Sequence, residues 1–428
     1  MSEAFRIGIA GLGTVGAGVV KILQQNGDMI AERAGKPIEI VSVSARGRKD
    51  RGVDLSRYKW ADKPESLADE KLDAVVELMG GAEGTARTLV TKALENKKHV
   101  VTANKALLAN HGFELASIAE KNGVNLMYEA SVAGCVPVIR ALRESFISNK
   151  ITGVYGILNG TCNYILTQMR VSGRSFESVL KEAQEKGYAE ADPSTDIEGN
   201  DTGHKIALLA ALAFGVKPNF KGVKLKGITK LTDVDIQFAG KLGYKIKLLG
   251  ITKDYDGKIV QSVEPCLVPA DDPLGSIEDV YNAVFVEGDF FETPLMSGRG
   301  AGEGPTASAV VADIIDLARG VHVPTFGIPA SKLKDMKAMD LGETQSRFYM
   351  RITVLDKPGV IADISAILRD QNISIESVLQ QGRDPGQPVN VVMTTHEALR
   401  ADIAESCRQI AKLDSTIGEP CLLRVVVL

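Results

Sequence analysis

What this chain of 428 residues lacks narrows its function before anything it contains is considered. Neither sign of charge dominates: 50 lysines and arginines stand against 54 aspartates and glutamates, a net charge of -4. These charges are spread along the chain, so no polybasic face offers itself to nucleic acid or an anionic membrane, and small-molecule work is expected. The five cysteines, Cys135, Cys162, Cys266, Cys407 and Cys421, lie far apart with no C-x-x-C pair; zinc patterns are excluded and a reducing cytoplasm fits. His99, His111, His204, His322 and His396 show no ligand spacing, so no transition-metal site is expected. No apolar run reaches the ~18 residues that cross a bilayer. Met1-Ser2-Glu3 leads into a strand without the basic and apolar stretches of a secretory signal. The expectation is a cytoplasmic protein with neither membrane nor nucleic acid as a partner.

What is present is ordinary for a globular protein, 44% hydrophobic and 24% charged. A chain this long exceeds what one core organises, so two or three domains are expected. From Phe5 to Val136 short apolar runs alternate with helical stretches, the pattern of βαβ units over a parallel sheet. Strands are expected near 5–10, 38–44, 74–79, 99–102 and 126–129, with helices near 15–25, 85–96 and 106–122. Residues 1–136 thus read as a doubly wound, Rossmann-type α/β domain. Beyond Ile151, glycine-punctuated strands and longer helices near 176–186 and 202–214 read as an α+β substrate and dimerisation domain spanning 137–304. An amphipathic helix near 306–318 has two placements open: back on the first domain, which residues 305–330 would then complete, or inside the second. Residues 331–346, with Lys332, Lys334, Asp335, Lys337 and Asp340, read as a surface connector. The remainder, 347–428, carries the βαββαβ order of a ferredoxin-like domain.

The motif Gly11-Leu12-Gly13-Thr14-Val15-Gly16 is a G-x-G-x-x-G placed directly after an apolar strand and before a helix, the context that gives the pattern meaning. Gly11 permits the tight turn, Gly13 lets the backbone approach a pyrophosphate, and Gly16 allows close helix-to-strand packing over a helix N-terminus that favours phosphate. An NAD-type site places Asp or Glu at the end of the second strand, but here the chain reads Ser44-Ala45-Arg46-Gly47-Arg48-Lys49. Arg46, with Arg48 beside it, suits a 2′-phosphate, so NADP is expected ahead of NAD. The competing reading is a solvated basic loop.

The most informative segment runs from Ala183 through Gly187-Tyr188-Ala189-Glu190, Asp192-Pro193 and Asp196-Ile197-Glu198-Gly199 to Asp201 and Lys205. Asp201 and Lys205 are four positions apart on an expected helix, hence on one face; alone, such a pair reads first as a surface salt bridge. The whole segment, however, resembles the signature of homoserine dehydrogenases. The resemblance extends to the cofactor loop, to Thr102-Ala103-Asn104-Lys105, Glu129-Ala130-Ser131-Val132-Ala133-Gly134, Gly156-Ile157-Leu158-Asn159-Gly160-Thr161 and Gly298-Arg299-Gly300-Ala301-Gly302, in family order.

That resemblance implies reversible reduction of L-aspartate 4-semialdehyde to L-homoserine, in the biosynthesis of threonine, methionine and isoleucine. Hydride leaves the alcohol carbon as its hydroxyl loses a proton, so a side chain must take and return that proton. By resemblance Lys205 is this acid/base, Asp201 binds substrate and holds Lys205, and Glu190 accepts from the substrate ammonium. Lys105 stands where nicotinamide and substrate meet. Two roles stay open for it, positioning substrate or sharing the proton transfer, and as a nearby cation it is expected to depress the pKa of Lys205. Gly302 and Glu303 are the carried-over contacts of a glycine cluster closing on the cofactor. The family's monovalent-cation site implies carbonyl ligands from Glu129, Val132, Gly134 and Val136, hard donors suited to sodium. Cys135 departs from the small residue expected in that loop.

The C-terminal βαββαβ resembles an ACT domain, with Leu355-Asp356-Lys357-Pro358-Gly359-Val360 matching its strand-to-helix turn. Such a module implies an amino-acid effector, threonine by pathway logic; the alternative is a dimerisation module without a sensing site. A homodimer or homotetramer is expected. Two other functions remain to be separated from this one: another small NADP-linked reductase, and a catalytically silent sensor.

Overall fold

The computed structural model describes residues 3–47, 52–291, 293–380 and 387–428. The chain opens with β1 (Phe5–Ala10), α1 (Thr14–Gln25), α2 (Gly27–Ala34), β2 (Ile38–Ser44), β3 (Lys59–Trp60), β4 (Ala74–Glu77), α3 (Thr85–Glu95), β5 (His99–Thr102), α4 (Lys105–Lys121) and β6 (Leu126–Met127). The six strands pair in the parallel order β3-β2-β1-β4-β5-β6. Strands buried on both faces need continuous apolar runs, and β1 from Ile7 onward and β4 through Val76 supply them. The chain moves outward one way from β1 to β3 and the other way from β4 to β6. The switch point between β1 and β4 is where ligands of such sheets bind, beyond the carboxyl ends.

Two strand ends fall short of their expected limits. β4 stops at Glu77 because the Met79 and Gly80 amides turn back onto the Glu77 carboxylate. β6 stops at Met127 because Glu129–Ser131 tighten into a 3-10 turn.

The second unit comprises α5 (Val138–Arg140), β7 (Ile151–Ile157), α6 (Gly160–Ser172), α7 (Phe176–Glu185), α8 (Ser194–Ile197), α9 (Asn200–Phe214), β8 (Lys224–Leu225), α10 (Asp233–Lys241), β9 (Tyr244–Tyr255), β10 (Lys258–Pro269), β11 (Tyr281–Gly288) and β12 (Leu295–Arg299). α9 is apolar nearly all round after Lys205, and Ile206 through Leu212 are all buried. A helix of that character belongs inside a core, and it lies against β7, β9 and β10. Gly199 and Gly215, both left-handed at φ +89 and +62, set its two ends.

Helix α11 (Glu303–Ala318) packs across α1. A Cβ at Gly18 would lie 2.8 Å from Glu303 Cγ and 2.9 Å from Ala307 Cβ, so only glycine lets the helices approach this closely. Ala307, Val310, Val311 and Ile314 share a core with Ile7, Val19 and Val20.

The C-terminal unit is β13 (Gln345–Leu355), α12 (Val360–Asp370), β14 (Ile375–Gln380), β15 (Pro388–Thr395), β16 (Ala398–Leu399), α13 (Arg400–Ile410) and β17 (Cys421–Val425). Its strand order β17-β13-β15-β14 is the ferredoxin-like order of an ACT domain. β17 also pairs in parallel with β10, Cys266 opposite Arg424 and Leu267 opposite Val425, so both units share one 11-stranded sheet. Two buried ion pairs reinforce the seam. The Arg351 guanidinium donates to Asp235 at 2.6 and 3.1 Å, and Arg400 donates to Glu264 at 2.8 and 2.6 Å. The segment expected to be a surface connector is tied down as well: Lys334 bridges to Val216, Ala338 bridges to Ile259, and β13 already begins at Gln345.

Candidate active site

The dinucleotide loop lies at the switch point. Gly11 adopts φ +102 and a Cβ there would sit 2.6 Å from the Leu78 carbonyl, so glycine is required on both counts. A Cβ at Gly16 would strike the Gly11 carbonyl, whereas Gly13 faces open space. Thr14, Val15 and Gly16 form the first turn of α1, with Gly13 as its N-cap. Gly11, Leu12 and Gly13 line a cleft of about 540 Å³ together with Ala45, Arg46, Asp62, Pro64, Leu78, Met79, Gly80, Glu83 and Thr85. That size suits a small-molecule or cofactor site. Arg46 is on the wall where the second strand ends; Arg48, the other expected contact, lies outside the described residues. Gly302 and Glu303 do not line this cleft. Glu303 packs on α1 and its carboxylate pairs with Lys21 at 3.4 Å.

The substrate-side residues come together from three elements. The buried Asp201 carboxylate accepts from Lys205 Nζ at 2.7 Å on one oxygen and pairs with Lys105 Nζ at 3.1 Å on the other. Lys205 also donates to the Leu158 carbonyl at 2.6 Å. Instead of facing each other as bare cations, the two lysines share a carboxylate. Burial works against ionisation of Asp201, yet Lys205 and Lys105 together hold its carboxyl well below the usual range. In return the Asp201 charge raises Lys105 above the ordinary lysine value against desolvation, with Asp196 and Glu190 adding to it. Glu190 itself is exposed, and its backbone carbonyl accepts from Gln184 at 3.1 Å.

A second carboxylate stands beside the first. Asn159, at the N-cap of α6, donates from Nδ2 to Asp196 at 2.7 Å and to Asp201 at 2.9 Å, while its own oxygen caps the Cys162 amide. Burial foremost, and the like charge of Asp201, raise the Asp196 carboxyl. His204, adjacent to Lys205 in sequence, stacks on Phe220 with centroids 4.0 Å apart.

The loop expected to hold a cation runs from Glu129 to Val136. The Glu129 carboxylate is used inside the protein, accepting the Ile139 and Arg140 amides at 3.0 and 2.8 Å. Its amide donates to Asp313 at 2.9 Å. Gly134 is left-handed, and a Cβ there would lie 2.6 Å from the Arg299 carbonyl. The neighbouring Cys135 is accommodated, its amide and thiol both directed at that carbonyl at 3.3 and 3.4 Å. The Val136 carbonyl accepts the Val138 amide at 2.8 Å, and a carbonyl's second lone pair leaves it able to ligate. Carbonyl oxygens are hard donors of the type a monovalent cation takes. Among the described residues no side-chain cluster of three or more His, Cys, Asp or Glu could hold a metal.

Sequence reasoning assigned no role to the loop after β4, nor to Asn159 and Asp196. The signal for the first was the pair Gly80-Gly81 directly after a strand, both left-handed at φ +79 and +88. Asn159 and Asp196 lie in segments that the sequence singled out, but their convergence on Asp201 is a tertiary fact.

Comparison with known proteins agrees with this arrangement. Family models match for the homoserine dehydrogenase NAD binding domain over residues 11–129, homoserine dehydrogenase over 137–315 and the ACT domain over 348–413. The homoserine dehydrogenase of Neisseria gonorrhoeae is 44% identical over 95% of both chains. The crystal structure of a homoserine dehydrogenase from Thiobacillus denitrificans superposes with a TM-score of 0.94 at 39% identity, covering 99% of each chain. A hyperthermophilic archaeal homoserine dehydrogenase mutant in complex with NADPH matches 75% of this chain at 26% identity, with a TM-score of 0.64. Matched end to end at such identity, the chain belongs to the homoserine dehydrogenase family of oxidoreductases, with an NAD(P)-binding domain, a catalytic domain and a C-terminal ACT domain.

Proposed function

We propose that this homoserine dehydrogenase interconverts L-aspartate 4-semialdehyde and L-homoserine with NADP preferred over NAD, and that Lys205 is its acid/base. One observation carries the reading: a buried carboxylate, Asp201, clamps two ammonium groups, Lys205 at 2.7 Å and Lys105 at 3.1 Å. Bound NADP(H) supplies or accepts the hydride. Lys205 gives its proton to the substrate oxygen as negative charge develops there, and recovers it in the oxidative direction. Lys105, held cationic by Asp201, is suited to position that oxygen and stabilise its charge. Glu190 accepts from the substrate ammonium. Asp201 keeps both lysines aimed into one place, and apolar burial around α9 limits water.

The preference for NADP rests on Arg46 in the cleft wall and on the absence of a carboxylate at the end of β2. The archaeal relative described in complex with NADPH is consistent with it. A sodium ion on the carbonyls of Glu129, Val132, Gly134 and Val136 would stiffen the loop beside α11. Threonine is the proposed effector of the ACT domain, and a cytoplasmic homo-oligomer the proposed setting. Following NADPH and NADH absorbance on adding aspartate semialdehyde, with and without threonine, tests these points. Faster turnover with NADPH and inhibition by threonine are expected. Equal use of both cofactors removes the NADP preference, and indifference to threonine removes the effector.

A further inference from the structure

Glu77 ends β4 fully buried, and its carboxylate is satisfied by neutral donors: the Met79 amide at 2.7 Å, the Gly80 amide at 3.1 Å and the Thr102 hydroxyl at 2.7 Å. A buried carboxylate is costly, and bonds such as these are what make it tolerable. Its donors belong to two different functional elements. Met79 and Gly80 line the cofactor cleft. Thr102 ends β5, and its oxygen accepts the Asn104 amide at 3.0 Å. Asn104 is the N-cap of α4, the helix that begins with Lys105, and its side chain accepts from Leu107 at 3.1 Å. The same side chain donates to the Gly81 carbonyl at 2.7 Å, which closes the circuit back on the cleft loop. The Glu77 main-chain carbonyl joins in, accepting the Ala103 amide at 3.4 Å.

A loop with left-handed glycines at positions 80, 81 and 84 has little conformational preference of its own. Something must fix it, and the same groups that fix it also fix the start of the Lys105 helix. We propose that Glu77 and Thr102 are positioning residues that register the cofactor-cleft loop against Lys105, so that dinucleotide and catalytic lysine are held in one frame. The inference rests on the role given to Lys105 above.

The test separates the two ends of the relay. Thr102→Val removes the hydroxyl but leaves the Glu77 bonds to Met79 and Gly80. Its NADPH Kd, from fluorescence titration without substrate, should stay within about twofold of the unsubstituted enzyme, while kcat falls about tenfold, the effect of one lost hydrogen bond. Thr102→Ser restores the hydroxyl and should recover most of that loss. Glu77→Ala should weaken NADPH about tenfold and lower kcat as well, whereas Glu77→Gln, which keeps an acceptor toward the amides and a group able to bond Thr102, should retain most of the affinity. Should Thr102→Val leave kcat unchanged, or weaken NADPH as much as it slows turnover, the relay is wrong. A Glu77→Gln variant as impaired as Glu77→Ala also overturns it, even where Thr102→Val fails to fold. Lys105→Ala serves as reference: full turnover there defeats the reading of Lys105 itself, while loss there with normal Thr102→Val defeats only the relay.

Discussion

Replacing Asp201 with asparagine tests the centre of the site, because one carboxylate serves two ammonium groups. The cost divides unequally. The Lys105 side chain is 38% exposed, so solvent screens its pairing and leaves a share of about 0–1 kcal/mol. The Lys205 side chain is 10% exposed and Asp201 7%, which makes theirs a buried pair; breaking such a pair by removing one partner costs about 3–5 kcal/mol. The amide can still accept from one lysine, so the lower end of that range is expected, with part appearing in folding and part in the reaction barrier. If half or more reaches the barrier, kcat falls by about one to two orders of magnitude, while NADPH binding, proposed for the Gly11 to Thr85 cleft, should be nearly untouched. A pH signature accompanies it. Asp201 is the largest cause of the raised Lys105 value, and a raised lysine contributes stabilisation that is present below its unfolded value and lost as pH rises through the folded one. In the variant the alkaline limb of activity therefore moves to lower pH. Stopped-flow or steady-state NADPH absorbance across pH, beside a thermal melt, makes the measurement. A variant with kcat within threefold and an unmoved alkaline limb would refute the clamp.

Arg46→Ala should raise the KM for NADPH about tenfold or more while moving that for NADH little, as expected when a charge-assisted contact to a phosphate is lost; equal effects on both cofactors remove Arg46 from the 2′-phosphate site. Arg351→Ala takes the cation from Asp235, a fully buried carboxylate that keeps the neutral donors of Thr232 and Tyr349, and should lower stability by about 3 kcal/mol in urea unfolding. Arg351→Lys, which keeps a cation for Asp235 and leaves its cap on Thr232 intact, should recover part of it, and an unchanged midpoint for Arg351→Ala would show the pair to be inert. Burial, and then the charge of Glu129, push the Asp313 carboxyl up to about 7. The native state therefore holds that proton more tightly than the unfolded chain, and stability falls as pH rises from the normal carboxylate range through about 7. At about 1.4 kcal/mol per unit this amounts to at most about 4 kcal/mol, and Asp313→Asn should flatten the slope of melting temperature against pH over that interval.

The sequence was most legible where structure is local. A glycine triplet between an apolar strand and a helix announces a turn, and Gly16, whose Cβ would strike the Gly11 carbonyl, carries its steric reason within the motif itself. The long helix of Lys205 was legible for a similar reason, through capping glycines and an apolar run. Strand ends were less so: nothing local says that Glu77 will fold its carboxylate back on Met79 and Gly80 and end β4 there.

The sequence alone determined the family, the glycine loop and the helix that carries Asp201 and Lys205, because motif chemistry depends on residues close in the chain. Tertiary structure decided what those residues do to one another. Asp201 stands four residues from Lys205 but meets Lys105 only across the domain boundary, so the shared carboxylate that replaces a bare pair of cations is invisible to spacing. Likewise the ACT domain reads as a separate module by pattern, yet β17 hydrogen-bonds to β10 and makes one sheet with the catalytic unit. Parallel pairing between strands so distant in sequence leaves no local trace, since each strand's pattern records only that it is buried and not which neighbour buries it.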